Sequence, residues 1–144
     1  MAIVDLHGRE HEAAVVQLLA AAQIHRQPED ALARAPAIAD EYARSAALRL
    51  WGYELRGAIV GIVGVELAAA SRAIIRDLAV TPGERRRGIG RALIDFLRSE
   101  GGVAELEGDT LEAALPFYER CGFQVRESGL MPDGATRYRF VWRR

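Results

Sequence analysis

The sequence predicts an α/β fold, a single domain spanning residues 1–144 in which a mixed sheet is flanked by about four helices. Three observations carry the prediction. The chain has 144 residues, half of them apolar, which is close to the usual size of one domain and enough to fill one core. Its apolar spacing switches between strand and helix periods, in the order β-α-α-β-β-β-α-β-α-β-β. Residues 72–100 run from an apolar strand through a glycine-bearing turn into an amphipathic helix, a unit from which α/β folds are built.

Residues 2–6 suit a short first strand, and 10–23 carry apolar side chains at helical spacing: Ala14, Leu18 and Ala21, or Val15, Leu19 and Ala22. A second helix is expected over 28–45, because Pro28 fits a first turn and Leu32, Ala35, Ile38, Ala39 and Tyr42 form one stripe. Residues 48–55 and 58–68 read as a hairpin closed at Arg56-Gly57, followed by a strand over 72–80. The helix over 88–100 places Ile89, Ala92, Leu93, Phe96 and Leu97 on one face, and Gly101-Gly102 ends it. A strand over 103–107 and a helix over 111–121 follow. Strands over 123–127 and 136–142, paired around Met131-Pro132-Asp133-Gly134, close the chain. The last strand, from Tyr138 to Trp142, is expected at a sheet edge, where it could pair with a second copy in a homodimer.

The turn before the third helix is the chemical centre of the sequence. Arg85-Arg86-Arg87-Gly88-Ile89-Gly90-Arg91 would set free main-chain N–H groups, the positive end of a helix dipole and arginines at one spot, which suits a phosphate or pyrophosphate. Glycine matters there because an anion reaches main-chain N–H groups only where no Cβ intervenes. A turn that merely needs glycine, beside a solvated arginine face, is the alternative. A Rossmann fingerprint is excluded, since Leu93 stands where its third glycine would be, and a Walker A loop is excluded because the chain has no lysine.

The run Leu78-Ala79-Val80-Thr81-Pro82-Gly83-Glu84-Arg85-Arg86-Arg87-Gly88-Ile89-Gly90 resembles the acyl-CoA-binding signature of the GNAT superfamily of N-acetyltransferases. Downstream, Leu115-Pro116-Phe117-Tyr118-Glu119-Arg120-Cys121-Gly122-Phe123 resembles that superfamily's second hallmark, a short helix ending Phe-Tyr-x-x-x-Gly-Phe. The resemblance implies the GNAT fold, a mostly antiparallel sheet splayed between its fourth and fifth strands. It implies acetyl-CoA as cosubstrate, with Leu78, Ala79 and Val80 bonding the pantetheine arm through their backbone. Arg85, Arg86, Arg87, Gly88, Ile89, Gly90 and Arg91 would surround the pyrophosphate. A primary amine of a small molecule or protein would attack the thioester directly, in a ternary complex.

That chemistry sets requirements. An amine with a pKa of about 10.4 is protonated at neutral pH and must lose a proton before attack. The oxyanion needs a donor, for which the N–H of Val80 or Leu78 is available. The departing thiolate profits from a general acid, and the resemblance assigns that role to Tyr118. The base is less defined. In several amine-acetylating relatives a glutamate lies two residues before the position of Leu78, where this chain has Arg76. Strand alternation puts Arg72, Arg76 and Leu78 on one face and Asp77 with Ala79 on the other, so Asp77 does not replace it. Glu66, Glu54 or a bound water remain, with Glu66 the candidate base. Arg76 itself could hold a substrate carboxylate in a bidentate pair or serve a neighbouring acid. The missing glutamate also motivates the rival reading, a non-catalytic acyl-CoA-binding domain of the same fold.

Cys121 reads as a small packed residue, His25 as a surface histidine or a lining of the acceptor pocket, and Trp51 and Trp142 as sheet-packing aromatics. A net charge of −1 argues against a general nucleic-acid partner. One cysteine excludes an internal disulfide, and no Cys/His cluster suggests a metal. No apolar run approaches the ~20 residues of a membrane span. A soluble, cytoplasmic protein without membrane or nucleic-acid partners is therefore expected.

Overall fold

The hairpin expected at Arg56-Gly57 forms, and it organises the sheet. Strands β2 (Leu48–Leu55) and β3 (Ala58–Ala69) meet there, with φ of 51° at Arg56 and 79° at Gly57, both in the left-handed region a tight hairpin turn requires. The computed structural model describes residues 2–100 and 102–144. Its remaining strands are β1 (Ile3–Asp5), β4 (Arg72–Val80), β5 (Glu105–Leu111), β6 (Gln124–Leu130) and β7 (Thr136–Arg143), and its helices are α1 (Ala13–Ala21), α2 (Pro28–Arg44), α3 (Ile89–Ser99) and α4 (Leu115–Arg120). The sheet runs β1-β2-β3-β4-β5-β7-β6, antiparallel throughout except for the parallel pair β4–β5. No described helix is long and apolar enough to cross a membrane.

Each face of the sheet has its own core. On one, α1 and α2 bury Val15, Leu18, Leu19, Ala35, Ala39 and Tyr42 against Leu48, Leu50 and Ile62. The buried stripe of α2 is Ala31, Ala35, Ala39 and Tyr42, while Leu32, expected inside, is 56% exposed. On the other face, α3 and α4 bury Ile89, Leu93, Ile94, Leu97 and Tyr118 against Val63, Val65 and Ile75. Gly61 lets α3 come close, since a Cβ there would stand 2.9 Å from Ile89.

Strands β4 and β5 pair only at Arg72–Glu105, Ala73–Leu106 and Ile74–Glu107, and beyond Ile74 they part. This is the splay that the family resemblance implied. Gly108 stands at the parting, where a Cβ would lie 2.4 Å from the Phe140 ring and 2.9 Å from the carbonyl of Ile75.

Several expectations need correction. Strand β5 extends to Leu111, beyond the expected 103–107, and α4 begins only at Leu115, because Pro116 fits the first turn and the residues before it form a 3₁₀ turn. Strand β7 is not an edge. It lies between β5 and β6, so the edges are β1 and β6, and the edge reason for placing a homodimer contact at Tyr138 to Trp142 falls away. The alternation predicted for β4 is also interrupted. Val65 pairs with Ile75 and Gly64 with Asp77, leaving Arg76 as the extra residue of a bulge. Leu78 therefore packs towards the α3 core, whereas Arg76 reaches Glu41 on α2. Gly101, expected to help end the third helix, lies outside the described residues.

Candidate active site

The parting of β4 and β5 opens a cleft of about 770 Å³. Its walls are Leu78, Ala79 and Val80 of β4, Asp109, Thr110 and Leu111 of β5, and Phe117 and Tyr118 of α4, with the α3 turn at one end. The other end holds Gln23, Ile24 and His25 from the α1–α2 connection, with Arg76, Met131 and Arg137.

At the first end the chain builds an anion cradle from backbone. Arg86 has φ of 66° and Gly88 of 75°, so the loop turns twice through left-handed geometry before α3 starts at Ile89. No described backbone carbonyl or side chain accepts a hydrogen bond from the main-chain N–H groups of Arg86 through Arg91, and the first such bond of the helix runs from Ala92 to Gly88. Six donors are thus without a partner among the described residues, at the helix's positive end. Arg85, Arg86, Gly88, Ile89, Gly90 and Arg91 line the cleft, while Arg87 turns to Glu84 at 3.5 Å. Free main-chain N–H groups at a helix start are the kind of site that suits an anion, and among the described residues no cluster of metal ligands occurs.

The second motif has an equally local cause. Gly122, with φ of 88°, ends α4: its N–H donates to the carbonyl of Glu119, and the N–H of Phe123 donates to that of Tyr118 at 3.0 Å. This double bond is a Schellman cap, which brings the residue after the glycine back onto the helix. Phe123 accordingly meets Tyr118 edge to face at 5.5 Å, and Phe140 stacks on Tyr118 at 3.8 Å. The ring of Tyr118 is fixed in the core, 6% exposed, yet the residue lines the cleft and its hydroxyl has no hydrogen-bond partner among the described residues. Burial holds the phenol well above its ordinary pKa, so it is a neutral donor. Phe117 joins the two motifs, because a Cβ on Gly90 would come within 3.1 Å of its ring.

The predicted acceptor-side residues fare differently. Arg76 lines the cleft, but its guanidinium pairs with Glu41 at 3.3 Å and Glu66 at 3.9 Å. Glu66 is not among the cleft residues and borders a separate shallow groove with Asp40, Glu41 and Arg76. Asp77 is buried and takes hydrogen bonds from the Tyr42 hydroxyl at 2.6 Å and the Gln23 amide at 2.7 Å. Its burial raises the carboxyl's pKa, against the pull of those two donors. Gly64 makes this contact possible, since a Cβ there would stand 2.0 Å from the Tyr42 oxygen. Cys121 is packed at the end of α4, with its thiol pushed up by burial, and His25 lines the end of the cleft away from the α3 turn. Trp51 packs on Phe96, and Trp142 carries the Arg98 guanidinium 5.0 Å above its ring, so both serve the sheet.

Sequence reasoning missed Asp109, Thr110, Met131 and Arg137. The only local signal for the first two was the extended run after Glu107, which polar residues obscured.

Comparison with known proteins places this geometry. An acetyltransferase (GNAT) domain model matches residues 46–125. The glucosamine 6-phosphate N-acetyltransferase of Trypanosoma brucei brucei is 32% identical over 95 residues, which cover 59% of this chain and 64% of that protein. The matched stretch is thus less than two thirds of that relative's length. Among solved structures, an aminoglycoside 6'-N-acetyltransferase complexed with coenzyme A superposes with a TM-score of 0.75 at 16% identity, covering 99% of this chain and 97% of that one. A GNAT-family acetyltransferase from Staphylococcus aureus gives 0.71 at 18% identity over 98% and 97% of the two chains. One from Elizabethkingia anophelis with acetyl-CoA bound gives 0.69 at 15% identity over 99% of each. The splayed sheet, the loop of unpaired N–H groups before α3 and the capped Tyr118 helix are all present, and with the domain match covering more than half of the sequence, the chain belongs to the GNAT acetyltransferase family.

Proposed function

We propose that the chain is an N-acetyltransferase that binds acetyl-CoA in the cleft and passes the acetyl group to a primary amine by direct attack. The observation that carries this reading is that the loop of free N–H donors from Arg86 through Arg91, all but Arg87 lining the cleft, shares that cleft with the unpartnered hydroxyl of Tyr118. The pyrophosphate would lie on the N–H row, flanked by Arg85, Arg86 and Arg91. The pantetheine arm would run along the open edge of β4, at Leu78, Ala79 and Val80. That leads the thioester towards Tyr118, the general acid for the departing sulfur.

For the amine's proton, Glu66 lies outside the cleft lining, and Asp109 is the carboxylate on the acceptor-side wall. Asp109 would orient the ammonium and relay its proton to water in the open cleft. Arg76, with its charge balanced by Glu41 and Glu66, would shape the wall rather than neutralise a substrate. One domain covering residues 1–144, a cytoplasmic setting and the absence of nucleic-acid and membrane partners belong to the same proposal. A homodimer is also part of it, without an assigned face.

Thermal denaturation with acetyl-CoA tests the binding half. At a hundredfold excess over its Kd a ligand of the folded state stabilises by ~2.7 kcal/mol, so the midpoint should rise by about 10 °C. No shift with acetyl-CoA or CoA would overturn the proposal. Release of CoA on adding an amine, measured with a thiol reagent and corrected for Cys121, separates an enzyme from a binding domain.

A further inference from the structure

Strands β5 and β7 carry a ladder of opposite charges on the sheet face that looks towards the acceptor end. Glu105 faces Arg143, and Asp109 faces Arg139. The pairs close: Arg143 reaches Glu105 at 3.3 Å, and Arg139 reaches Asp109 at 3.3 Å and Glu107 at 3.0 Å. The next rung breaks the pattern. Arg137 faces Leu111 on one side and Gly129 of β6 on the other, and neither can balance a charge. Its guanidinium passes 3.5 Å from the place where Gly129 would carry a Cβ, and no described carboxylate lies within ion-pair distance of it. Both members of this rung, Leu111 and Arg137, line the cleft, as Asp109 of the rung before it does.

The other charges at that end are accounted for. Arg76 is balanced by Glu41 and Glu66, and Asp109 by Arg139. Arg85, Arg86 and Arg120 belong to the phosphate end of the cleft. Among the described residues, Arg137 is therefore the uncompensated cation at the acceptor end, and it stands beside the Asp109 carboxylate that Arg139 pairs.

We propose that the acceptor is a small amine that also carries an anionic oxyacid group, a carboxylate or a phosphate, and that Arg137 holds this group while Asp109 meets the ammonium. The inference rests on the acetyl-transfer reading and narrows its substrate. A planar guanidinium offers two parallel N–H donors to either oxyacid, which fixes the acceptor's orientation as well as its charge. A polycationic amine would bring like charge against Arg137 and gain only the Asp109 carboxylate, which Arg139 already pairs.

The test follows CoA release with acceptors matched except for charge: glucosamine 6-phosphate against glucosamine, and β-alanine against its amide, with spermidine and kanamycin as polycations. In at least one pair the anionic member should have a kcat/KM on the order of tenfold higher. Arg137→Ala and Arg137→Gln should abolish that preference, with the KM for acetyl-CoA held within about twofold. A preference for neutral or polycationic amines, a preference that survives both variants, or a raised KM for acetyl-CoA would overturn the assignment. If no member is acetylated, the protein saturated with CoA is titrated with inorganic phosphate and with acetate. A larger thermal shift from either anion in wild type than in Arg137→Gln supports the site, and equal shifts overturn it. Failure to bind acetyl-CoA at all would instead overturn the acetyl-transfer reading.

Discussion

Replacing Tyr118 by phenylalanine isolates the proposed acid. The ring stacked on Phe140 at 3.8 Å and set against Phe123 at 5.5 Å is kept, and the hydroxyl removed has no partner among the described residues. Stability should therefore change by less than ~1 kcal/mol, or about 4 °C in the midpoint. The kinetic cost is larger. Burial lifts the phenol well above its ordinary value, and so above the ~8.5 of a free thiol. Complete proton transfer to a thiolate is then uphill, and the group acts chiefly as a charge-assisted hydrogen-bond donor to the departing sulfur. Such a bond contributes ~1.5–3 kcal/mol, which corresponds to a fall in kcat of roughly 10- to 150-fold. The KM for acetyl-CoA should hold within about twofold, because the pyrophosphate cradle is untouched. The donor must be protonated to act, and a raised pKa keeps it so, hence wild type should show no loss of rate from this group below a pH of about 10. CoA release in wild type and Tyr118→Phe, measured across pH, checks all three. Turnover within twofold of wild type would remove Tyr118 from the mechanism, and a midpoint lowered by 10 °C or so would make its role structural.

Asp109→Asn should lower kcat/KM at least ~10-fold and Glu66→Gln less than ~3-fold, by the same assay; the reverse order would return the base to Glu66. Gly64→Ala forces a Cβ to within 2.0 Å of the Tyr42 oxygen, so Tyr42 must leave its contact with Asp77. Overpacking together with the lost hydrogen bond should cost ~3–5 kcal/mol in urea unfolding, and a loss under ~1 would show that the pair shifts freely. Glu107 is buried between Arg72 and Arg139, and the Arg72 hydrogen bond, ahead of the charges, holds its carboxyl below the usual range. Its stabilisation is thus complete above the unfolded value of ~4.3 and lost as pH falls through the lower folded one. Glu107→Gln should cost about 1–2 kcal/mol at neutral pH, because both arginines remain partly in water and Arg139 keeps Asp109, with the gap to wild type closing below a pH of about 4. A gap that stays constant down to the acid limit would exclude this account.

Much of the architecture was legible because its causes are local. The Arg56-Gly57 turn, the strand from Arg72 to Val80, the cap at Gly88 and the end of α4 at Gly122 each depend on residues within a turn of one another. The Tyr118 motif is legible for the same reason: a Schellman cap needs only its glycine and an apolar residue after it. Leu32 misled because helical periodicity defines a stripe but not which flank of it meets the sheet; Ala31 took the inner place. The bulge at Arg76 was invisible, since it arises from the register between β3 and β4 and not from either strand alone.

Sequence by itself determined the order of elements, the glycine-bearing loop before α3 and the capped end of the Tyr118 helix, because each is written in neighbouring residues. Only the tertiary structure decided what surrounds the end of the cleft away from the α3 turn. The splay at Gly108, the removal of Glu66 from the cleft, the interior place of β7 and the unbalanced charge of Arg137 are all products of strand pairing. Pairing joins residues far apart in the chain, as Leu111 joins Arg137, and no local pattern records which partner a charge will face.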